Sequence, residues 1–371
     1  MTVFLRRWLR EKSFDLVRRF ARSSDAREMA AQSLAGLLDW RPKLTVVNGR
    51  KVLPDLPYPE IGSRAAATRT GLRDDVVFIT ARFRSGSTLL WNLFRHLPSC
   101  TAYYEPFNER RWFDPVVRGV RVDRTHKHVD DYWREYAGLE ELGKHYREEW
   151  IRRNLLMEAD FWDSEMKRYI EILIERAAGR PVLQFNRVDF RLPWLRRNFP
   201  DAKLVHLYRH PRDQWCSTMR NCPGYTRDSS PSEFAACDRF YLRRWAADLQ
   251  YHFPFLADSL RAHAYDTFYY IWRLSHLYGV YHAHISLAFE QLVDEPESEL
   301  ERLFRSLDVT GADIGLLRSL VVKPDAPRWP QYADDSWFRE HEARCEEVLA
   351  TFFEGPGGAA GPRLRLSHVA N

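Results

Sequence analysis

Apolar residues dominate four short stretches of this chain, at 76–81 (Val-Val-Phe-Ile-Thr-Ala), 181–186, 203–208 and 282–289, and each is bounded by polar or turn-forming residues. Runs of that length read as buried strands. Between them, apolar positions recur three and four residues apart near 87–97, 161–178, 191–198 and 211–220, which predicts helices. Alternating strands and helices imply an α/β fold: a central parallel sheet flanked by helices, with ligands beyond the carboxyl ends of the strands. The aromatic-rich stretch 232–276 reads as two helices broken near Pro254, its Trp and Tyr rings packing as core. A long segment at 107–160, crowded with Trp, Tyr, Arg and His, is an insertion that the alternation does not require. Around this 76–310 core we expect a helical segment at 1–40, a Pro-punctuated linker at 41–75, a helical segment at 311–354 and a flexible Gly/Pro-rich tail at 355–371.

Composition narrows the class without naming a function. The 371 residues are 45% hydrophobic and 29% charged, which is ordinary for a globular chain and excludes global disorder. A net charge of +5 is too small to argue for a nucleic-acid partner. That excess sits in residues 1–22, where seven cations (Arg6, Arg7, Arg10, Lys12, Arg18, Arg19, Arg22) face Glu11 and Asp15. Phe4, Trp8, Leu9, Leu16 and Phe20 give the same stretch an apolar stripe, so it reads as a basic amphipathic helix. Such a helix suits either the protein's own body or peripheral contact with an anionic membrane surface; it is too interrupted to span one. Five cysteines, an odd number without a Cys-x-x-Cys pair, lead us to expect no disulfide framework and a cytoplasmic location. The pairs His126/His128 and His282/His284 lack the companions of a metal site, so we expect packed or solvated histidines and no metal.

The chemistry begins where the first strand ends. Arg84-Ser85-Gly86-Ser87-Thr88 links strand 76–81 to the next helix, and a strand running into a helix start aims unpaired backbone N–H groups and a positive dipole at one point. The ATP-binding form of this turn, Gly-x-x-x-x-Gly-Lys-Ser/Thr, is not met: Ala81 stands at the first Gly and Ser87 at the lysine. The cation has moved to Arg84. A basic residue followed by Ser-Gly-Ser-Thr resembles the 5′-phosphosulfate loop of sulfotransferases that use 3′-phosphoadenosine 5′-phosphosulfate (PAPS).

A second segment, Lys203 to Ser217, strengthens the resemblance. In that family an Arg at the end of a strand and a Ser eight positions later hold the 3′-phosphate of the nucleotide, and Arg209 and Ser217 have this spacing. Tyr103-Tyr104-Glu105-Pro106-Phe107 is similar to the Tyr-Glu-Pro stretch of carbohydrate (Golgi-type and bacterial) sulfotransferases. The resemblance implies a P-loop-like core, PAPS as co-substrate without a metal, and Glu105 as general base toward an acceptor hydroxyl. It also implies Arg84, Ser85, Gly86, Ser87, Thr88, Arg209 and Ser217 as the nucleotide contacts, with Arg328 of Pro327-Arg328-Trp329-Pro330 added from a late basic segment.

The cytosolic phenol and steroid branch carries a Lys-Thr-His stretch before the 3′-phosphate strand, and here that neighbourhood is Phe185-Asn186-Arg187. Arginine cannot act as a base at neutral pH, so the departure disfavours a phenol or steroid enzyme. Arg187 is either an acceptor contact or a structural ion pair, and Asn108 is a second candidate acceptor contact. The acceptor suggested is a glycan, a glycolipid or a small molecule. Two rival readings stand beside this one: a nucleoside or sugar kinase with a degenerate loop, and a non-catalytic nucleotide-binding protein.

Overall fold

The computed structural model describes residues 73–354, apart from 221, 223, 261, 325 and 326. The segment 1–40, all but three residues of the 41–75 linker and the tail 355–371 therefore lie outside the described residues, and with them the amphipathic stretch 1–22. Among the described residues no helix is long and apolar enough to cross a membrane.

Strand β1 (Val77–Ala81) is buried at all five positions, as a strand with layers on both faces must be. It lies between β3 (Arg180–Phe185) and β4 (Lys203–Tyr208), while β2 (Cys100–Tyr104) and β5 (Ile285–Ala288) form the edges. The order is β2-β3-β1-β4-β5 and every pairing is parallel. The parallel α/β architecture expected from the sequence is the one observed. Because Ala81 pairs with Leu207, the loops leaving β1 and β4 emerge side by side.

Helix α1 (Ser87–Arg95) follows β1, α2 (Ser164–Arg176) precedes β3, α3 (Leu192–Asn198) precedes β4 and α4 (Pro211–Met219) follows it. Local chemistry sets their ends. Asp163 accepts the Met166 amide at 2.8 Å to cap α2, and Pro211 opens α4, where a missing N–H costs nothing. The 232–276 region divides into α5 (Leu242–Leu249), α6 (Phe255–Ser259) and the start of α7 (Ala264–His282), with Pro254 at the expected break. Helix α7 consumes residues 264–282, so the last strand begins later than its apolar run, and α8 (Phe289–Asp294) starts immediately after it. Strand β2 went unforeseen; its start, Cys-Thr-Ala, lacks an apolar run.

The insertion contains three short 3₁₀ turns, at 134–136, 140–144 and 148–151, in place of regular helix. It is fastened to α1 by Arg95, which donates to Asp131 at 2.7 Å and to Glu135 at 2.8 Å. Helices α9 (Pro296–Ser306), α10 (Ile314–Ser319) and α11 (Asp335–Glu354) complete the body. Helix α11 is tied to α4 by Arg212, which donates to Glu342 at 2.6 and 2.8 Å and to Asp335 at 2.6 Å.

Cys222 and Cys237, expected to remain unpaired, form a disulfide with Cα atoms 5.6 Å apart. An odd count carries no information on proximity, and here the turn at 233–236 returns the chain to the end of α4. Cys100, Cys216 and Cys345 are free thiols, and burial pushes Cys216 up to about 12.

Candidate active site

The turn after β1 is held in a shape that ordinary residues resist. Arg84 has φ of 66° and Gly86 of 96°, both in the left-handed region. A Cβ at Gly86 would meet the Phe289 ring at 2.2 Å, so only glycine permits this close approach of α8 to the turn. Ser85 is fully buried and its hydroxyl donates inward to the Arg82 carbonyl at 2.7 Å, shaping the turn from within. Ser87 and Thr88 occupy the first turn of α1, where the amides have no partners within the helix.

Although 125 residues separate them, the turn after β4 meets this one directly. Arg84 Nε donates to Ser217 Oγ at 3.1 Å, and Arg209 Nη1 donates to the Arg84 carbonyl at 3.3 Å. Gln214 of α4 donates to the Phe83 carbonyl at 2.7 Å, and Trp272 of α7 fixes the Arg209 carbonyl at 2.9 Å. The Arg209 guanidinium lies over the Phe289 ring, 4.7 Å from its centroid. Arg328 joins the group through its amide, which donates to Asp213 at 2.9 Å.

The cations gathered here repel one another. Burial holds Arg209 below its ordinary pKa; Asp213 and Glu290 oppose that, while Arg84 and Arg328 add to it. Arg220 is lowered by burial and then by Arg328 and Arg84. Arg209 Nε is buried without a hydrogen-bond partner. A concentration of positive charge whose Arg209 Nε has only the Glu290 carboxylate 4.0 Å away, beside a helix start, is suited to a polyanion.

Glu105 directly follows β2 with φ of 39°, strained for a residue with a side chain. It is 6% exposed. Its Oε2 accepts from Asn108 Nδ2 and Arg187 Nη1, each at 2.7 Å, and its Oε1 accepts from Asn186 Nδ2. Each carboxylate oxygen has two lone pairs, so Oε1 retains one acceptor position. Arg187 also binds Glu109 at 2.6 Å and stacks on Phe83, so it forms ion pairs with two carboxylates. Burial works against its charge, but Glu105 and Glu109 overcome this and hold it above its ordinary value. Asn108 likewise orients Glu105 while its Oδ1 takes the Arg110 amide at 2.9 Å.

The insertion also reaches the first turn. Asp123 lies 3.7 Å from Arg84, and His126 Nε2 lies 3.3 Å from Thr88 Oγ1, which is 2.9 Å from Tyr104 Oη. His126 Nδ1 bonds Tyr132 Oη. The sequence picks out His126 only as a pair with His128 and Asp123 not at all, because the insertion has no periodicity that would direct them inward. Among the described residues no group of three or more His, Cys, Asp or Glu residues is placed to hold a metal ion.

A family model described as "Sulfotransferase family" matches residues 76–313, from β1 to the start of α10. The chain belongs to the sulfotransferase family. The sheet, both cationic turns, Glu105 and the insertion all fall within the matched span. Three solved sulfotransferases are similar to this one: STF9 from Mycobacterium avium (12% identity, TM-score 0.41, 80% of each chain covered), a protein from Alicyclobacillus acidocaldarius (15%, 0.34, 75% of this chain and 95% of that one) and STF1 from Mycobacterium tuberculosis H37Rv (15%, 0.37, 72% and 76%). No curated protein matches the chain significantly.

Proposed function

We propose that this sulfotransferase moves the sulfuryl group of PAPS onto an acceptor hydroxyl, with a carbohydrate or glycolipid as the acceptor class. The observation that carries the proposal is the junction of the two turns, in which Arg84 bonds Ser217 and Arg209 bonds the Arg84 carbonyl. PAPS supplies a sulfuryl group on a phosphosulfate bond that breaks as the acceptor oxygen attacks sulfur.

The protein's residues divide the remaining work. Arg84, Thr88 and the first amides of α1 would hold the 5′-phosphosulfate and oppose charge growing on the bridging oxygen. Ser87 and Gly86 complete that cradle, and Ser85 gives it shape. Arg209 and Ser217, with Arg328 beside them, would hold the 3′-phosphate, the group that distinguishes PAPS from ATP. Glu105, kept in place by Asn108, Asn186 and Arg187, would take the acceptor proton on the free position of Oε1.

Calorimetry tests nucleotide choice. Adenosine 3′,5′-bisphosphate should bind without metal, and ADP with Mg²⁺ should bind at least about tenfold more weakly, one lost charge-assisted contact being worth about 1.5–3 kcal/mol. The reverse preference would favour a kinase. Transfer of ³⁵S from labelled PAPS to a panel of glycans and glycolipids then tests the acceptor class, and labelling of phenols alone would reject it.

A further inference from the structure

The Thr88 hydroxyl stands between two groups from different parts of the chain. Tyr104, at the end of β2, lies 2.9 Å away, and His126, from the insertion, lies 3.3 Å away. Tyr104 is buried, and burial followed by Glu105 raises its pKa well above the phenol range, so it keeps its proton and can donate. Tyr132 Oη already accepts the Asp123 amide at 3.0 Å. Its own proton can then go to the remaining neighbour, His126 Nδ1, the direction on which the inference below is built. That assigns the ring proton of a neutral His126 to Nε2, facing Thr88. Burial lowers His126, with Arg84 adding to it and Asp123 and Glu105 opposing, which favours the neutral ring.

A threonine hydroxyl has two acceptor positions and one donor. A donating His126 cannot take the Thr88 proton, and where Tyr104 also donates, in a contact that either hydroxyl can supply, that proton is left for the cradle. We infer that His126 is a positioning residue that, with Tyr104, fixes Thr88 as a hydrogen-bond donor toward the anion held at the turn after β1. The inference rests on the sulfuryl-transfer reading above and deepens it. It gives the insertion a part in forming the cradle itself.

The test uses the full chain. In ¹⁵N-imidazole spectra near pH 7.5, His126 should be the neutral Nε2–H tautomer, and Thr88→Val should shift its resonances. With PAPS turnover to adenosine 3′,5′-bisphosphate as the assay, His126→Phe should lower kcat about tenfold, the equivalent of one hydrogen bond of about 1.4 kcal/mol. KM for PAPS and calorimetric affinity for the bisphosphate should change less than about threefold. His126→Gln, whose Nε2 can donate from a similar place, should recover most of the rate. Because both changes remove one interaction, the Thr88→Val/His126→Phe double variant should be no slower than the slower single variant.

An Nδ1–H tautomer, multiplicative losses in the double variant, or equal rates for Phe and Gln would overturn the inference. If wild-type protein neither binds the bisphosphate nor cleaves PAPS, the sulfuryl-transfer reading fails instead. The tautomer and its response to Thr88→Val still decide, in that case, whether Thr88 is held as a donor.

Discussion

Arg187 donates from Nη1 to Oε2 of Glu105 at 2.7 Å, with 2% of one side chain and 7% of the other exposed. A pair withdrawn from water to this extent leaves a costly charge behind when one member is removed. Arg187→Ala should therefore lose about 3–5 kcal/mol of stability, measurable as a lower urea midpoint. A midpoint unchanged within error would show that Glu105 is solvated or neutral.

Glu105→Gln keeps the size of the side chain and removes its capacity to take a proton. Turnover should fall by about 10²–10⁴, the usual contribution of a general base, while calorimetric affinity for adenosine 3′,5′-bisphosphate stays within about threefold. Equal losses in rate and affinity would place Glu105 in binding and outside the proton transfer.

Arg84 and Arg209 should separate kinetically despite their contact. Arg84→Ala should abolish measurable turnover, because the proposed mechanism sets this cation against the bond that breaks. Arg209→Ala should chiefly weaken nucleotide binding, by about 1.5–3 kcal/mol for a charge-assisted contact, and the loss should shrink for a nucleotide without a 3′-phosphate. A normal turnover number in Arg84→Ala would remove that residue from the chemistry.

Three histidines make stability depend on pH. Burial depresses His206 to about 3 and His276 and His282 to about 4, with a further contribution from His276 on His206 and from neighbouring arginines on the other two. Their folded values lie below the unfolded value of about 6.5, so the unfolded chain binds more protons in acid. The stability they support is complete above pH about 6.5 and is lost as pH falls toward about 3–4, at up to about 1.4 kcal/mol per pH unit for each. Tm should stay level from pH 7.5 to about 6.5 and fall from there to pH 4, and His206→Gln should flatten the slope. A profile flat over that range in the native protein would contradict the burial of these rings.

The Cys222–Cys237 bond closes a loop across a sequence separation of 15 residues. Thiol titration in denaturant should find three free groups without reductant and five with it. Reduction should cost about 3 kcal/mol, the chain-entropy value for a loop of this length.

The sheet was legible because its central strands are buried on both faces, so Val77–Ala81 and Lys203–Tyr208 read as apolar runs with sharp ends. The two cationic turns were legible because their residues are consecutive or regularly spaced. Edge strand β2 escaped because its first residues are half-covered and mixed in polarity. Asp123, and the place of His126 beside Thr88, escaped for a different reason: an irregular segment reveals neither which side chains turn inward nor what they meet. Arg187 showed its residue type in the sequence, but its partners Glu105 and Glu109 lie some eighty positions away and only the parallel pairing of β2 with β3 brings them near.

The adjacency of β1 and β4 also bears on how the molecule is made. Their pairing joins residues about 126 positions apart, as Val77 to Lys203, so closing that loop is entropically late and folding should be slow for a domain of this size. Neither half of the chain possesses the junction of the two cationic turns by itself. Acquisition of bisphosphate affinity during refolding would consequently mark the moment at which the long-range topology is complete.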